Sequence, residues 1–492
     1  MRVSASIIAL SLAAVSCSGE VSDERGDGGG GGAADSGASQ ADARVSDGPP
    51  ANFVYIVADD LDAGMMEYMP KTRQLVRDQG VELRRFYTPY SLCTPSRVSV
   101  LTGQYPHNNR VIGNDAPDGG HAAFVSRGAE ASTIAVWLEA AGYRTALVGK
   151  YVNGYPASGL GDTYKPPGWT DWHALVRNVY GFYDYVMVEN GRRVQYGSAP
   201  DDYSTDVIAR KTANLIEEYE ADDDRPFFLY VAPTAPHGPA ISAPRHASLF
   251  TAKQLPDDPA FNEPRVADKP AWIRAKPLFD AAQVDDIRTT YRKRLRSLQA
   301  VDDLVETVVD KLAATGELER TVLVFTSDNG YKRGQHRLPG GKTTAYEPDI
   351  LLPFYIRGPG IAAGQTREHM SLTIDLAPTF AEYAGIAAPG VDGTSLVPIL
   401  GDRPADPGGD GWRSDFLVTN RPSGSEPGAP RFSALRSGAH TYIQTGEERE
   451  LYDLEADPHQ LQSRHETADA ALLAALSARL EQLLGCSRAG CE

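Results

Sequence analysis

Positive charge is what this chain is shortest of. Its 492 residues carry 48 lysines and arginines against 65 aspartates and glutamates, a formal net charge of −17. A nucleic acid or an anionic membrane surface would meet net repulsion, so neither is expected as a partner. A small anionic substrate is admissible only if its site is a local basic or metal-bearing pocket. The chain also lacks a long apolar run beyond its first residues, so no membrane-spanning helix is expected, and no segment repeats internally. Cysteine is scarce, at four residues, so each one asks for an assignment. Apolar residues are not scarce: at 41% they can fill a large core, better as two packed units than as one.

The N-terminus reads as an export signal. Arg2 supplies positive charge, and Ile7 to Val15 forms an apolar run too short to span a bilayer. The run closes on Ala14-Val15-Ser16-Cys17, which resembles a bacterial lipoprotein signal with Cys17 as the acylated first mature residue; Leu is usual where Ala14 stands. The expectation is an exported protein, periplasmic or surface-facing, whose one membrane attachment is this lipid anchor. The alternative is an ordinary cleaved signal with a stray cysteine. Residues 18–50, with their run Gly28 to Gly32, are rich in Gly, Ser and Asp and read as a flexible tether. In an oxidising compartment Cys486 and Cys491 are expected to form a small local disulfide, two free thiols being the alternative. Cys93 is left without a partner, which in an exported protein calls for an explanation.

From Ala51 onward, short apolar β-branched runs alternate with helical periodicity, the pattern of a βαβ sheet covered on both faces. Strands are expected at Asn52–Ala58, Tyr143–Val148, Pro226–Ala232 and Thr321–Thr326. Helices are expected from Ser132 to Ala141, closed by Gly142, and from about Asp285 to Leu312. In the first, Ile134, Trp137, Leu138 and Ala141 fall at helical spacing and read as core. Past about Pro389 the chain turns Gly- and Pro-rich around shorter strand-like pieces, Phe416–Val418, Phe432–Arg436 and Thr441–Gln444. A helix at Ala468–Leu484 then places Leu473, Leu476, Leu480 and Leu483 on one face. The expected division is a main α/β domain over residues 51–388 and a smaller α+β domain over 389–492.

Each of the four main strands runs into polar residues: Asp59-Asp60, Lys150, His237 a few positions on, and Asp328-Asn329. Singly these are ordinary: a solvated turn, a surface lysine, a loop histidine, an Asp-Asn-Gly turn. In open parallel sheets, however, ligands bind beyond the carboxyl ends of the strands, so the four ends can converge on one site. Three carboxylates and a carboxamide then make an all-oxygen set, which suits calcium first, magnesium second, and not zinc.

The string Cys93-Thr94-Pro95-Ser96-Arg97, followed by Leu101-Thr102-Gly103, resembles the signature of the sulfatase family. In that family the cysteine is oxidised to formylglycine (3-oxoalanine) by a formylglycine-generating enzyme. The resemblance runs from about Asn52 to Pro458 and is strongest toward the N-acetylglucosamine-6-sulfatase and heparan endosulfatase branch. It is carried there by Gly149-Lys150-Tyr151-Val152-Asn153, Pro166-Pro167-Gly168-Trp169, Tyr291 to Asp303, Gly334-Gln335-His336-Arg337-Leu338-Pro339 and Glu450-Leu451-Tyr452-Asp453-Leu454. It implies an alkaline-phosphatase-like fold, a mixed and mostly parallel sheet flanked by helices. It also implies calcium on Asp59, Asp60, Asp328, Asn329 and residue 93, with Arg97, Lys150, His237 and Lys342 around the sulfate.

The implied chemistry is hydrolysis of a sulfate ester, of a small sulfated sugar or an aryl sulfate. A hydroxyl of hydrated formylglycine attacks sulfur, Lys150 and Lys342 bind sulfate oxygens, and Arg97 holds the diol. His237 or Lys342 protonates the departing oxygen, and the sulfated intermediate collapses back to the aldehyde. Three positions depart from common family usage: Val152 and Lys332 stand where histidine is frequent, and Leu351 where arginine is. The leaving-group side of the pocket is therefore expected to differ. Two other functions fit less of the pattern: a phosphonate or phosphate ester hydrolase on the same fold, and a glycan-binding lipoprotein whose Cys93 is never matured.

Overall fold

The computed structural model describes residues 50–221, 225–407, 412–422 and 429–491. The export signal, Cys17 and nearly all of the tether lie outside the described residues. Within them, no helix is long and apolar enough to cross a membrane.

A ten-stranded sheet organises the chain. Its strands are β1 (Asn52–Ala58), β2 (Val81–Leu83), β3 (Arg144–Gly149), β4 (Asp171–Arg177), β5 (Val186–Glu189), β6 (Arg192–Gln195), β7 (Phe227–Ala232), β8 (Thr321–Ser327), β9 (Phe354–Arg357) and β10 (Gln365–Arg367). The order across the sheet is β10-β2-β9-β8-β1-β7-β3-β4-β5-β6. The five strands from β8 to β4 are parallel. The antiparallel β9 on one flank and β5-β6 on the other make the sheet mixed, as expected, though their positions were not among the expected strands.

The central strands are apolar throughout because both faces are covered. On β1, Phe53, Tyr55 and Val57 enter one core while Val54, Ile56 and Ala58 enter the other. The first core is closed by α2 (Ile134–Ala140) and α5 (Leu376–Tyr383), with α1 (Cys93–Thr102). The second is closed by α3 (Ser204–Glu220) and α4 (Ala281–Thr315). A capping box between Asp280 and Gln283 starts α4, four residues before its expected beginning, and it runs three residues past its expected end. Ile134 and Leu138 of α2 are buried and Trp137 packs against the core, whereas Ala141, expected in the core, is exposed just past the helix end.

At the C-terminus a four-stranded antiparallel sheet, β11 (Asp415–Asn420), β12 (Phe432–Ser437), β13 (His440–Thr445) and β14 (Glu448–Asp453), packs under α6 (Ala470–Leu484). Leu476, Leu480 and Leu483 face inward, and Leu473 is partly buried beside them. This sheet shares a hydrophobic cluster with Tyr87, Tyr105, Tyr346 and Ile350 of the main body. Cys486 and Cys491 are joined in a disulfide, and Cys93 is free and buried.

Candidate active site

Register decides where the chemistry sits. Ala58 at the end of β1 pairs with Ser327 at the end of β8, and Gly149 at the end of β3 pairs with Ala232 at the end of β7. Asp59-Asp60, Asp328-Asn329 and Lys150 therefore leave one edge of the sheet together, with His237 on the loop beyond β7. Gly149 itself, at φ 117°, approaches β7 so closely that a Cβ would lie 2.2 Å from the Ala232 carbonyl oxygen. Only glycine fits there, and it delivers Lys150 to the site.

Cys93 is the first residue of α1, a ten-residue helix buried along its whole length. Its N-terminus points at the carboxyl edge of the sheet. Lys342 Nζ donates to Cys93 Sγ at 2.9 Å and also pairs with Asp60 Oδ1. Cys93 Sγ lies 3.7 Å from Asp59 Oδ1. Lys150 Nζ donates to Asp59 Oδ2 at 2.6 Å. Arg97, one turn along α1, donates from Nε to Asp328 Oδ2 at 2.9 Å and from Nη1 to the Lys150 carbonyl at 3.0 Å. His237 Nε2 is 3.6 Å from Asp60 Oδ2, and its Nδ1 bonds the Gly238 carbonyl at 2.7 Å. The structure thus gathers every sequence-derived candidate, Asp59, Asp60, Cys93, Arg97, Lys150, His237, Asp328, Asn329 and Lys342, around one point.

The charges are arranged by burial. Burial alone opposes ionisation of Asp59, but Lys150, His237, Arg97 and Lys342 together hold its carboxyl well below the usual range. Asp60 is lowered in the same way, against its burial, by Lys342 and His237. Asp328 goes the other way: burial and the Asp59 charge push it up, despite Arg97. Lys150 and Lys342 would lose their protons more easily on burial, yet Asp59 and Asp60 respectively more than compensate and keep both ammonium groups charged. Burial pushes the unmodified Cys93 thiol up to about 12, so as a plain cysteine it is a protonated, poor nucleophile.

The donor set fits a hard divalent cation. Ligand atoms of Asp59, Cys93 and Asp328 all lie within 4.8 Å of one another, as do those of Asp59, Asp60 and His237. Asn329 donates from Nδ2 to Asp60 at 2.7 Å, while its Oδ1 is buried with no hydrogen-bond partner. A buried carboxamide oxygen left unpaired beside crowded carboxylates is what a cation would satisfy. Asp60 holds its place with a left-handed backbone, φ 63°, a costly conformation for a residue with a side chain.

Several supporting residues were not anticipated. Arg294, buried on α4, donates to the Asp60 and Pro236 carbonyls and so ties the cation edge to the His237 loop. A charge on an otherwise apolar helical face (Tyr291, Leu295, Leu298) was its available signal. Lys332 does not face the chemistry as a substitute for histidine. It is buried, donating at 2.7 Å to the Lys342 carbonyl and at 2.8 Å to Asp349, which braces the loop that carries Lys342. Val152 is buried in the core, and Asn153 exchanges hydrogen bonds with Thr94. Leu351 pairs with Tyr87 in a small separate sheet. Tyr180, in the loop after β4, stacks on His237 and had no periodic signal at all.

The profile of the family described as Sulfatase matches residues 51–386. The chain belongs to the sulfatase family. A second profile, described as N-sulphoglucosamine sulphohydrolase, C-terminal, matches residues 334–485 of this sulfatase. It is 34% identical over 480 residues to the N-acetylglucosamine-6-sulfatase of Homo sapiens, covering 90% of this chain and 86% of that one. Among solved structures, BT4656 in complex with its substrate D-glucosamine-2-N,6-O-disulfate superposes with a TM-score of 0.76 at 23% identity, covering 88% of this chain and 97% of the other. The phosphonate monoester hydrolase of Agrobacterium radiobacter reaches 0.70 at 21% identity, covering 88% and 95%. The architecture is therefore the alkaline-phosphatase-like one the sequence implied, and the sulfatase is a sulfuric ester hydrolase; at such identities the structural neighbours speak for the fold alone.

Proposed function

We propose that this sulfatase hydrolyses sulfate esters of sugars of the N-acetylglucosamine-6-sulfate type, with residue 93 matured to formylglycine. The observation that carries the reading is the buried cup in which Cys93, Lys342, Asp59, Asp60 and Asp328 meet. A tetrahedral sulfate monoanion fits a site that offers two ammonium groups beside a carboxylate set that would hold a cation. The 34% identity to a glucosamine-6-sulfate enzyme over most of both chains supports the sugar.

In the matured protein the Sγ position stands for an oxygen of hydrated formylglycine, which supplies the nucleophile. Asp59, Asp60, Asp328 and Asn329 would hold calcium, whose charge favours both ionisation of that oxygen and binding of the sulfate. The side chains of this protein do the rest. Lys342, in contact with the reactive atom, and Lys150, on Asp59, face the sulfate oxygens. Arg97 fixes Asp328 and the Lys150 backbone, so the floor of the cup keeps its shape. His237 is the most open member, 20% exposed at its side chain. Its Nδ1–H is committed to the Gly238 carbonyl, so the proton for the departing sugar oxygen would come from Nε2, which lies 3.6 Å from Asp60 Oδ2.

Turnover of nitrophenyl sulfate, phosphate and phosphonate alongside glucosamine 6-sulfate tests the reading. Preference for the sulfates, with release of inorganic sulfate from the sugar, is expected. A higher kcat/KM on the phosphonate would assign the cup to phosphoryl chemistry instead. For the N-terminus we propose lipidation of Cys17: a Cys17→Ser variant is expected to leave the membrane fraction with its activity intact, and wild-type protein that is already freely soluble would refute the anchor.

A further inference from the structure

Among the described residues Tyr180 touches two members of the site, His237 and Lys150, and Asn153 beside them. Its ring stacks on the His237 imidazole with centroids 4.0 Å apart and planes 15° from parallel. Lys150 Nζ sits 5.0 Å from the same ring's centroid. Asn153 Nδ2 reaches the phenol oxygen at 3.3 Å. No other aromatic ring stacks on His237 among the described residues.

The loop that presents Tyr180 is itself held. Asn178, Phe182 and Asp184 take left-handed backbone conformations, at φ 52°, 62° and 53°. Asn178 Nδ2 donates to the Tyr183 and Asp184 carbonyls. Phe182 is fully buried against Tyr203 of the second core. A loop constrained at both sides of Tyr180 gives the ring a fixed place rather than a chance contact.

His237 needs such a constraint. It lies on a loop, it is the most exposed of the site residues, and among the described residues its side chain hydrogen-bonds only its own neighbour, Gly238, with Asp60 Oδ2 at 3.6 Å from Nε2. That bond limits rotation about the Cβ–Cγ axis but does not fix the tilt of the ring. A parallel stack does.

We propose that Tyr180 is a positioning residue for the leaving-group proton: its ring holds the His237 imidazole so that Nε2 meets the oxygen departing from sulfur. The inference rests on the reading of His237 as proton donor. The proton passes from Nε2–H to the leaving oxygen as the S–O bond breaks, and Tyr180 takes no part in bond making. Because proton donation matters in proportion to leaving-group basicity, loss of the stack must show as a change in leaving-group dependence rather than as a uniform loss.

The test is a series of aryl sulfates with phenols of graded basicity, assayed with the mature enzyme. The slope of log kcat/KM against leaving-group pKa does not depend on the fraction of active protein, so partial misfolding cannot imitate the effect. His237→Ala sets the reference by steepening the slope. Tyr180→Leu is expected to reproduce much of that steepening, with a loss on the order of 10-fold for the most basic phenol that shrinks as the phenols become more acidic. Tyr180→Phe, which keeps the stack and removes the hydroxyl, should retain the wild-type slope. Tyr180→Leu added to His237→Ala should steepen the slope no further. A Tyr180→Leu loss uniform across the series, or a Tyr180→Phe slope as steep as that of Tyr180→Leu, overturns the proposal. A His237→Ala slope equal to wild type removes the donor itself, and with it both this inference and the reading beneath it.

Discussion

The floor of the site and its rim are built differently. The floor consists of Asp59, Lys150 and Asp328 at the ends of parallel strands and of Cys93 and Arg97 on a buried helix; their side chains are 0 to 3% exposed wherever they pair. The rim consists of His237 and Tyr180 on two loops, held by a stack and by backbone contacts. On the proposed function, a floor fixed by sheet register would bind the part every substrate shares, the sulfate. A rim on loops can change without disturbing the sheet and would meet the part that differs, the departing alcohol. The same division explains why the three departures from common family usage leave the floor whole: Val152 lies in the core, Lys332 behind Lys342, and Leu351 in a side sheet.

The largest effect is expected at the floor. Asp328→Asn should lower kcat by on the order of 10^4-fold on every substrate and release the cation, read by turnover and by metal content after dialysis. Asp328→Ala is the harsher change. It leaves Arg97 buried without its carboxylate, at a cost of about 3–5 kcal/mol of stability visible in urea unfolding. Normal turnover by a metal-stripped Asp328→Asn enzyme would place the cation elsewhere.

His237→Ala sharpens the comparison, because a rim residue should discriminate. A nitrophenolate leaves readily, with a pKa of about 7 against the roughly 10 of a tyrosine phenol, whereas a sugar alkoxide needs a proton. The expected loss is on the order of 100- to 10,000-fold on glucosamine 6-sulfate and far smaller on nitrophenyl sulfate. Equal losses would move His237 to sulfate binding and leave Lys342 as the proton donor. Lys150→Ala is the converse probe: on the order of 100-fold, and the same on both substrates. A loss confined to the sugar would erase the line drawn between floor and rim.

The smallest effect belongs to the disulfide after α6. The Cys486–Cys491 disulfide closes a very short segment beyond α6. Its removal by Cys486→Ser should cost about 2 kcal/mol in unfolding free energy and leave kcat/KM on either substrate unaltered. A change in leaving-group preference would mean that the C-terminal sheet reaches the rim.

How much could be read in advance follows the same boundary. Strand ends were legible because an apolar run that stops at a charge, as in Val57-Ala58-Asp59-Asp60, marks both the strand and where it points. The Cys-Thr-Pro-Ser-Arg string singled out Cys93 and Arg97, but the helix that carries them is not legible, since all of it is buried and it has no amphipathic pattern. Lys332 stands where histidine is frequent, but sequence cannot tell a lysine facing substrate from one donating to a backbone carbonyl behind it. Tyr180 was invisible for a related reason: its contacts are to residues distant in sequence, across loops that carry no period. The antiparallel β5–β6 hairpin escaped because its outer strand, Arg192–Gln195, is polar and mostly exposed.

The central claim, that the buried Cys93 becomes the formylglycine of a sulfatase, is met most directly by the mass of one peptide. Trypsin should release Phe86–Arg97 from active enzyme made with its maturation system. The account predicts a peptide lighter than the cysteine form by the exchange of a thiol-bearing carbon for an aldehyde, reactive toward hydrazides and inert to alkylation. Fully active enzyme whose Cys93 is wholly recovered as an alkylated thiol would contradict it.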